Sequence, residues 1–214
     1  YLRAQYGPQP LVHGLMTKKE LLTYAGITGA IAAACGIALV TTRGELSWLL
    51  MVLGAVFVLF YTYPLKYIAL GEITVFLVWG PLMIAGGYYV ITGLPWDWQI
   101  VLASLPYAIV VTSVLFGKHI DKLQQDKELK IHTLPVVLGE TAARWVMTGL
   151  LGFAYLLVLY LIWTRFFTPA MLLIFLAIPT LAEIWPILSN PKPEEKPTDF
   201  PDVWPNYYVA ADFH

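Results

Sequence analysis

A chain of 214 residues with 58% hydrophobic and 13% charged side chains is too apolar for an ordinary soluble domain. Its formal net charge of −1 selects no class of partner, and its single cysteine, Cys35, allows no internal disulfide. No zinc spacing, phosphate-binding glycine loop or nucleic-acid signature occurs.

The chain starts at Tyr1 without a leader-like segment and ends in the aromatic run PNYYVAADFH, which reads as the approach to another membrane span. We therefore expect one transmembrane domain over residues 1–214, cut at both ends from a longer protein. After the turn-forming YGPQP, Thr17 and Glu20 have capping-box spacing, which predicts a helix start at MTKKELL. A bilayer core of roughly 30 Å needs about 20 apolar residues per helix. Six stretches approach that length: Leu21–Thr41, Leu46–Tyr63, Ile73–Thr92, Trp98–Phe116, Ala143–Trp163 and Thr168–Leu188. The fold class is all-α, a polytopic transmembrane helix bundle.

The first span, AGITGAIAAACG, is rich in small residues that allow close helix approach, and Cys35 reads as one of them. The second ends near Pro64, leaving Lys66 and Glu72 at the membrane surface. The third contains Gly80, Pro81, Gly86 and Gly87 and reads as a kinked, closely packed helix bordering a cavity. The connection TGLPWDW has no basic residue, and Pro106 lies in the fourth span. Glu183 is an intramembrane carboxylate in the last span, a functional position by default or a helix-contact residue. The tail NPKPEEKPTDFPDVWP is a loop.

Six spans divide the polar segments into two sets. Arg3, Lys18, Lys19, Lys66, Lys118, Lys122, Lys127, Lys130, Arg144, Lys192 and Lys196 fall on one side, and only Arg43 and Arg165 on the other. The rule that basic loops stay inside places the first set in the cytoplasm. The densest part is FGKHIDKLQQDKELKIHTLPVVLGE, Phe116 to Glu140. Lysines beside aspartates at a membrane surface suit a polyanion, with Mg²⁺ held by few carboxylates plus phosphate and water. An apolar bundle beneath could hold a lipid tail, so a lipid diphosphate fits; a solvated basic loop that only sets orientation is the alternative.

YPLKYIALGE, GPLMIAGGYYVITG and DKLQQDKELKIHTLPVVLGE resemble the UbiA superfamily of intramembrane prenyltransferases over essentially the whole chain. The resemblance implies nine helices with two aspartate-rich cytoplasmic motifs. The six spans would be helices three to eight, with the first motif before Tyr1 and helix nine beginning near Pro205. It implies Mg²⁺-assisted loss of diphosphate and attack of an aromatic carbon on the allylic cation. The nearest look is to the dihydroxynaphthoate prenyltransferases of menaquinone biosynthesis. Chlorophyll-synthase-like prenylation of a tetrapyrrole is the enzymatic alternative. A lipid- or quinone-binding homologue, or a structural subunit of a membrane complex, is the non-catalytic one.

Carried over by motif, Tyr63, Lys66, Asp121 and Asp126 are candidate catalytic residues, and Asp121 and Asp126 candidate Mg²⁺ ligands. Lys66, Lys118, Lys122, Lys130 and His119 are candidate diphosphate-binding residues, and His132 reads as a loop residue. The chain departs from the family where Lys122 stands at a common aspartate position and Lys118 at an asparagine or aspartate position. On a regular helix Asp121 and Asp126 point roughly 140° apart. This motivates the hypothesis that Lys118 and Lys122 contact diphosphate while Asp126 alone helps hold metal.

Overall fold

The computed structural model describes residues 8–193, 195–198, 204 and 208–210. Arg3 and the expected helix start near Pro205 lie outside them. The chain forms two compact units, Tyr1–Val52 and Leu53–His214, with the boundary inside the second helix.

In the first unit the capping box forms as expected. Glu20 N–H donates to Thr17 Oγ1 at 3.2 Å, and Thr17 N–H donates to the Glu20 carboxylate at 2.8 Å. These bonds satisfy donors that a helix start leaves unpaired. They open α1, Lys18–Arg43. Gly44, at φ 90°, ends it and leads directly into α2, Glu45–Phe60. A side chain with φ in that region is strained, which glycine avoids. A Cβ on Gly36 would lie 2.8 Å from Met51 Sδ, so the small residue admits its neighbour as the sequence pattern predicts.

The second helix departs from expectation. It has 16 residues, about 24 Å at 1.5 Å per residue, short of a full bilayer core. Among the described residues five helices are long and apolar enough to cross a membrane, Lys18–Arg43, Gly71–Thr92, Trp98–Asp121, Glu140–Trp163 and Pro169–Ser189, with Glu45–Phe60 a shorter apolar helix beside the six stretches expected. The helix stops before Pro64, which has no N–H to donate. The chain then runs through a cis Tyr63–Pro64 bond and a short 3₁₀ turn, Leu65–Tyr67. Ala69, at φ 59°, completes the reversal before α3.

Helix α3, Gly71–Thr92, is α-helical at both ends and π-helical over Val78–Ala85 around Pro81. The wider turn accommodates a residue that cannot donate to the helical ladder. Its packing is tight: a Cβ on Gly80 would lie 2.6 Å from Ala108 Cβ on α4, Trp98–Asp121. Along α4, Ser104, Thr112 and Ser113 are buried and donate to the carbonyls of Val101, Ala108 and Ile109. A buried hydroxyl is tolerated when its own helix accepts its hydrogen.

Short helices α5, Leu123–Glu128, and α6, Leu134–Leu138, lead into α7, Glu140–Trp163. The most extensive packing in the molecule is α4 on α7. Its core joins Phe116 and Ile120 to Ala143, Met147 and Leu151, with Leu188, Tyr208 and Val209. Helix α8, Pro169–Ser189, is 3₁₀ over its first half and α-helical from Ile178. Glu183 lies exposed on it. The bundle turns large apolar side chains outward, among them Ile91, Leu156, Trp163 and Leu176. Apolar surface on this scale suits lipid as solvent.

Candidate functional site

Two loops and a helix end build the site. The first loop carries Lys66, the second runs from α4 through α5 to α6, and a parallel backbone bridge between Ile68 and His132 ties them together. His132 enters this bridge through its backbone, and its side chain is exposed.

Asp126 is the centre. It sits on α5 with 5% of its surface exposed, and its Oδ2 has no hydrogen-bond partner among the described residues. Its backbone is fixed, with its N–H donating to Lys122 O and its carbonyl accepting from Ile131, both at 2.8 Å. Burial pushes its carboxyl above the ordinary carboxylate range, while the positive charges of Lys66, His119 and Lys122 pull it back and Glu72 adds to the rise. Lys66, Lys122 and His119, three of the expected diphosphate-binding residues, are thus close enough for their charge to act on the expected metal-binding aspartate.

Glu72 was read only as a surface residue, and here it is 1% exposed. Its Oε1 lies 2.6 Å from His119 Nδ1, and both of its oxygens lie 3.3 Å from Leu134 N–H. The one sequence signal was its place in the first turn of an apolar helix, directly after the lysine loop. Thr133 was also missed. It is fully buried, and its Oγ1 has no hydrogen-bond partner among the described residues.

Asp121 belongs to a different assembly. Its carboxylate accepts three backbone N–H bonds, from Tyr208 and Ala210 to Oδ2 and from Val209 to Oδ1, at 2.9–3.0 Å. The helix breaks at Lys122, φ −106° and ψ 12°, between Asp121 and Asp126. Gly117 packs against the segment that Asp121 holds: a Cβ there would touch the Ala210 backbone at 3.4 Å, the near edge of ordinary contact. The same region holds Lys192 over the Trp204 ring at 5.0 Å. Burial pushes the Lys192 ammonium below its ordinary range, opposed by Asp121 and Glu140. Arg144 donates to Glu140 at 2.8–3.0 Å and to Ile187 O at 2.7 Å, joining α7 to α8.

Of the other candidates, Lys118 is half-buried, Lys130 is exposed at φ 56°, and Tyr63 is 70% exposed with its ring edge-on to Tyr67. No group of three or more His, Cys, Asp or Glu side chains among the described residues forms a metal cage. The donor set fits Mg²⁺ in one way only, through the open Asp126 oxygen with phosphate and water completing the shell.

Residues 8–200 match the UbiA prenyltransferase family. The chain is 26% identical over 173 residues to a 1,4-dihydroxy-2-naphthoate octaprenyltransferase of Bacillus subtilis (strain 168), covering 78% of this chain and 54% of that protein. It is 30% identical over 155 residues to the protein of the same name from Mycobacterium tuberculosis (strain ATCC 25618 / H37Rv), covering 69% and 52%. A UbiA prenyltransferase domain-containing protein 1 of Dictyostelium discoideum is 32% identical over 92 residues, 43% of this chain and 28% of that one. The chain thus spans about half the length of the two octaprenyltransferases. No solved structure matches it. With a match running through all its apolar helices and both loops of the site, the chain belongs to the UbiA prenyltransferase family.

Proposed function

We propose that the full protein transfers a polyprenyl group from a lipid diphosphate to an aromatic quinone precursor of the dihydroxynaphthoate type, within the cell membrane and with its charged loops in the cytoplasm. The observation that carries this reading is the buried, open oxygen of Asp126 amid Lys66, Lys122 and His119. Buried polar atoms normally find a partner, and one left open beside cations suits an incoming phosphate–metal unit. The names of the two octaprenyltransferase relatives support the acceptor class.

In this reading Lys66 and Lys122 meet the diphosphate oxygens as point charges, and Tyr63 donates its phenol hydrogen to them. Asp126 would hold Mg²⁺, which when bound neutralises charge building on the leaving diphosphate. The prenyl C–O bond breaks with its electron pair going to diphosphate. The acceptor's ring carbon then bonds to the allylic carbon and loses a proton. An apolar cleft of about 400 Å³, lined by Phe57, Val58, Tyr61, Thr74, Val75, Val78 and Trp79, would take part of the prenyl chain in this reading. Asp121 has no role at the metal here, because its oxygens already hold backbone amides.

The test is an assay of the full-length protein in lipid with radiolabelled polyprenyl diphosphates, a panel of aromatic acceptors, and Mg²⁺ or a chelator. Prenylated dihydroxynaphthoate formed only with Mg²⁺ is expected. No turnover with any donor overturns the reading.

A further inference from the structure

Glu72 lies outside the residues assigned to the headgroup, yet three elements meet at its carboxylate. It belongs to α3, receives His119 of α4 at 2.6 Å, and receives Leu134 N–H at the start of α6 at 3.3 Å. The Glu72 contact uses His119 Nδ1, so Nε2 is the ring position left for another partner. Glu72 and His119 are 1% and 5% exposed. A charge so buried is costly unless fully bonded, and this one is bonded from two directions.

The joint has an unbonded border. Among the described residues Asp126 Oδ2 and Thr133 Oγ1 are both buried without partners, and Thr133 directly precedes the Leu134 N–H that Glu72 accepts. Saturated polar groups on one side and open ones on the other describe a rigid backing behind a receiving face. This contrasts with Glu140 and Arg144, which satisfy each other and tie two helices together.

We propose that Glu72 is the positioning residue of the diphosphate site, holding His119 and the start of α6 so that Asp126 and Thr133 keep open oxygens toward the ligand. The inference rests on the diphosphate reading above. Its test measures binding without turnover, using farnesyl thiodiphosphate with Mg²⁺ and the full-length protein in lipid nanodiscs. Glu72→Gln weakens binding roughly tenfold or more, the size expected when an outer-shell partner is lost. His119→Asn does likewise. The double variant binds within about twofold of the weaker single variant, because Glu72 acts through His119.

Thermal unfolding of each variant reports the folded fraction, and affinities are compared per folded molecule. If Glu72→Gln does not fold, His119→Asn alone decides. Wild-type affinity in either folded variant, or losses that multiply in the double variant, overturns the positioning role. Wild-type protein that binds no thiodiphosphate overturns the diphosphate reading, and the inference with it.

Discussion

Asp121 and Asp126 lie five residues apart in one charged stretch, and the fold uses them in opposite ways. Asp121 is saturated by three amides of residues 208–210 and anchors that segment against the end of α4. Asp126 keeps a buried oxygen open among cations. The first arrangement resembles a helix-cap carboxylate: it satisfies backbone donors and holds structure together. The second costs stability, which is common where a site is built for a ligand. Equal chemistry therefore gives no guide to role; what decides is which groups have already taken the oxygens.

That contrast breaks if the two aspartates respond alike. The largest effect is expected at the open one, where Asp126→Asn lowers prenyl transfer by about 100-fold or more in the radiolabel assay. The same variant should melt higher than the wild type at neutral pH. Burial raises the Asp126 carboxyl, so the native state holds that proton more tightly than the unfolded chain. Stability therefore falls as pH rises through the window above the ordinary carboxylate value, and the asparagine removes this loss. The gap in melting temperature should close as pH falls below about 3.9.

Asp121→Ala should do the reverse. It strands three backbone donors and costs about 2–3 kcal/mol in unfolding, while transfer per folded molecule changes less than about threefold. A 100-fold loss per folded molecule would instead return Asp121 to the metal site. Lys66→Met should raise the KM for the lipid diphosphate about tenfold by removing one point charge, with little loss of stability. The smallest effect belongs to exposed Lys130. Lys130→Ala should change KM by less than about twofold at physiological salt, because exposed charges are screened.

Much of the bundle was legible along the chain. The capping box at Thr17 and Glu20 needs only local bonds, and the apolar stretches and Pro81 needed only length and chemistry. The second span was overestimated because composition does not record where the turn before Pro64 begins. At the site, the charged stretch stood out against hydrocarbon, while Asp126 was singled out within it by the resemblance to the family motif. Glu72 was not: its partners His119 and Leu134 lie 47 and 62 residues away. The backbone bonds of Asp121 were hidden for the same reason, since its three amides lie 87 to 89 residues on.

The order of apolar and charged segments by itself determined an all-α membrane bundle with one strongly charged loop. These features follow from solvent transfer and local hydrogen bonding, which act on each segment separately. Only the tertiary structure decided which carboxylate is spent on the backbone, which is backed by His119 and which stays open. Such choices depend on hydrogen-bond partners brought together across distant turns, and no local spacing encodes them.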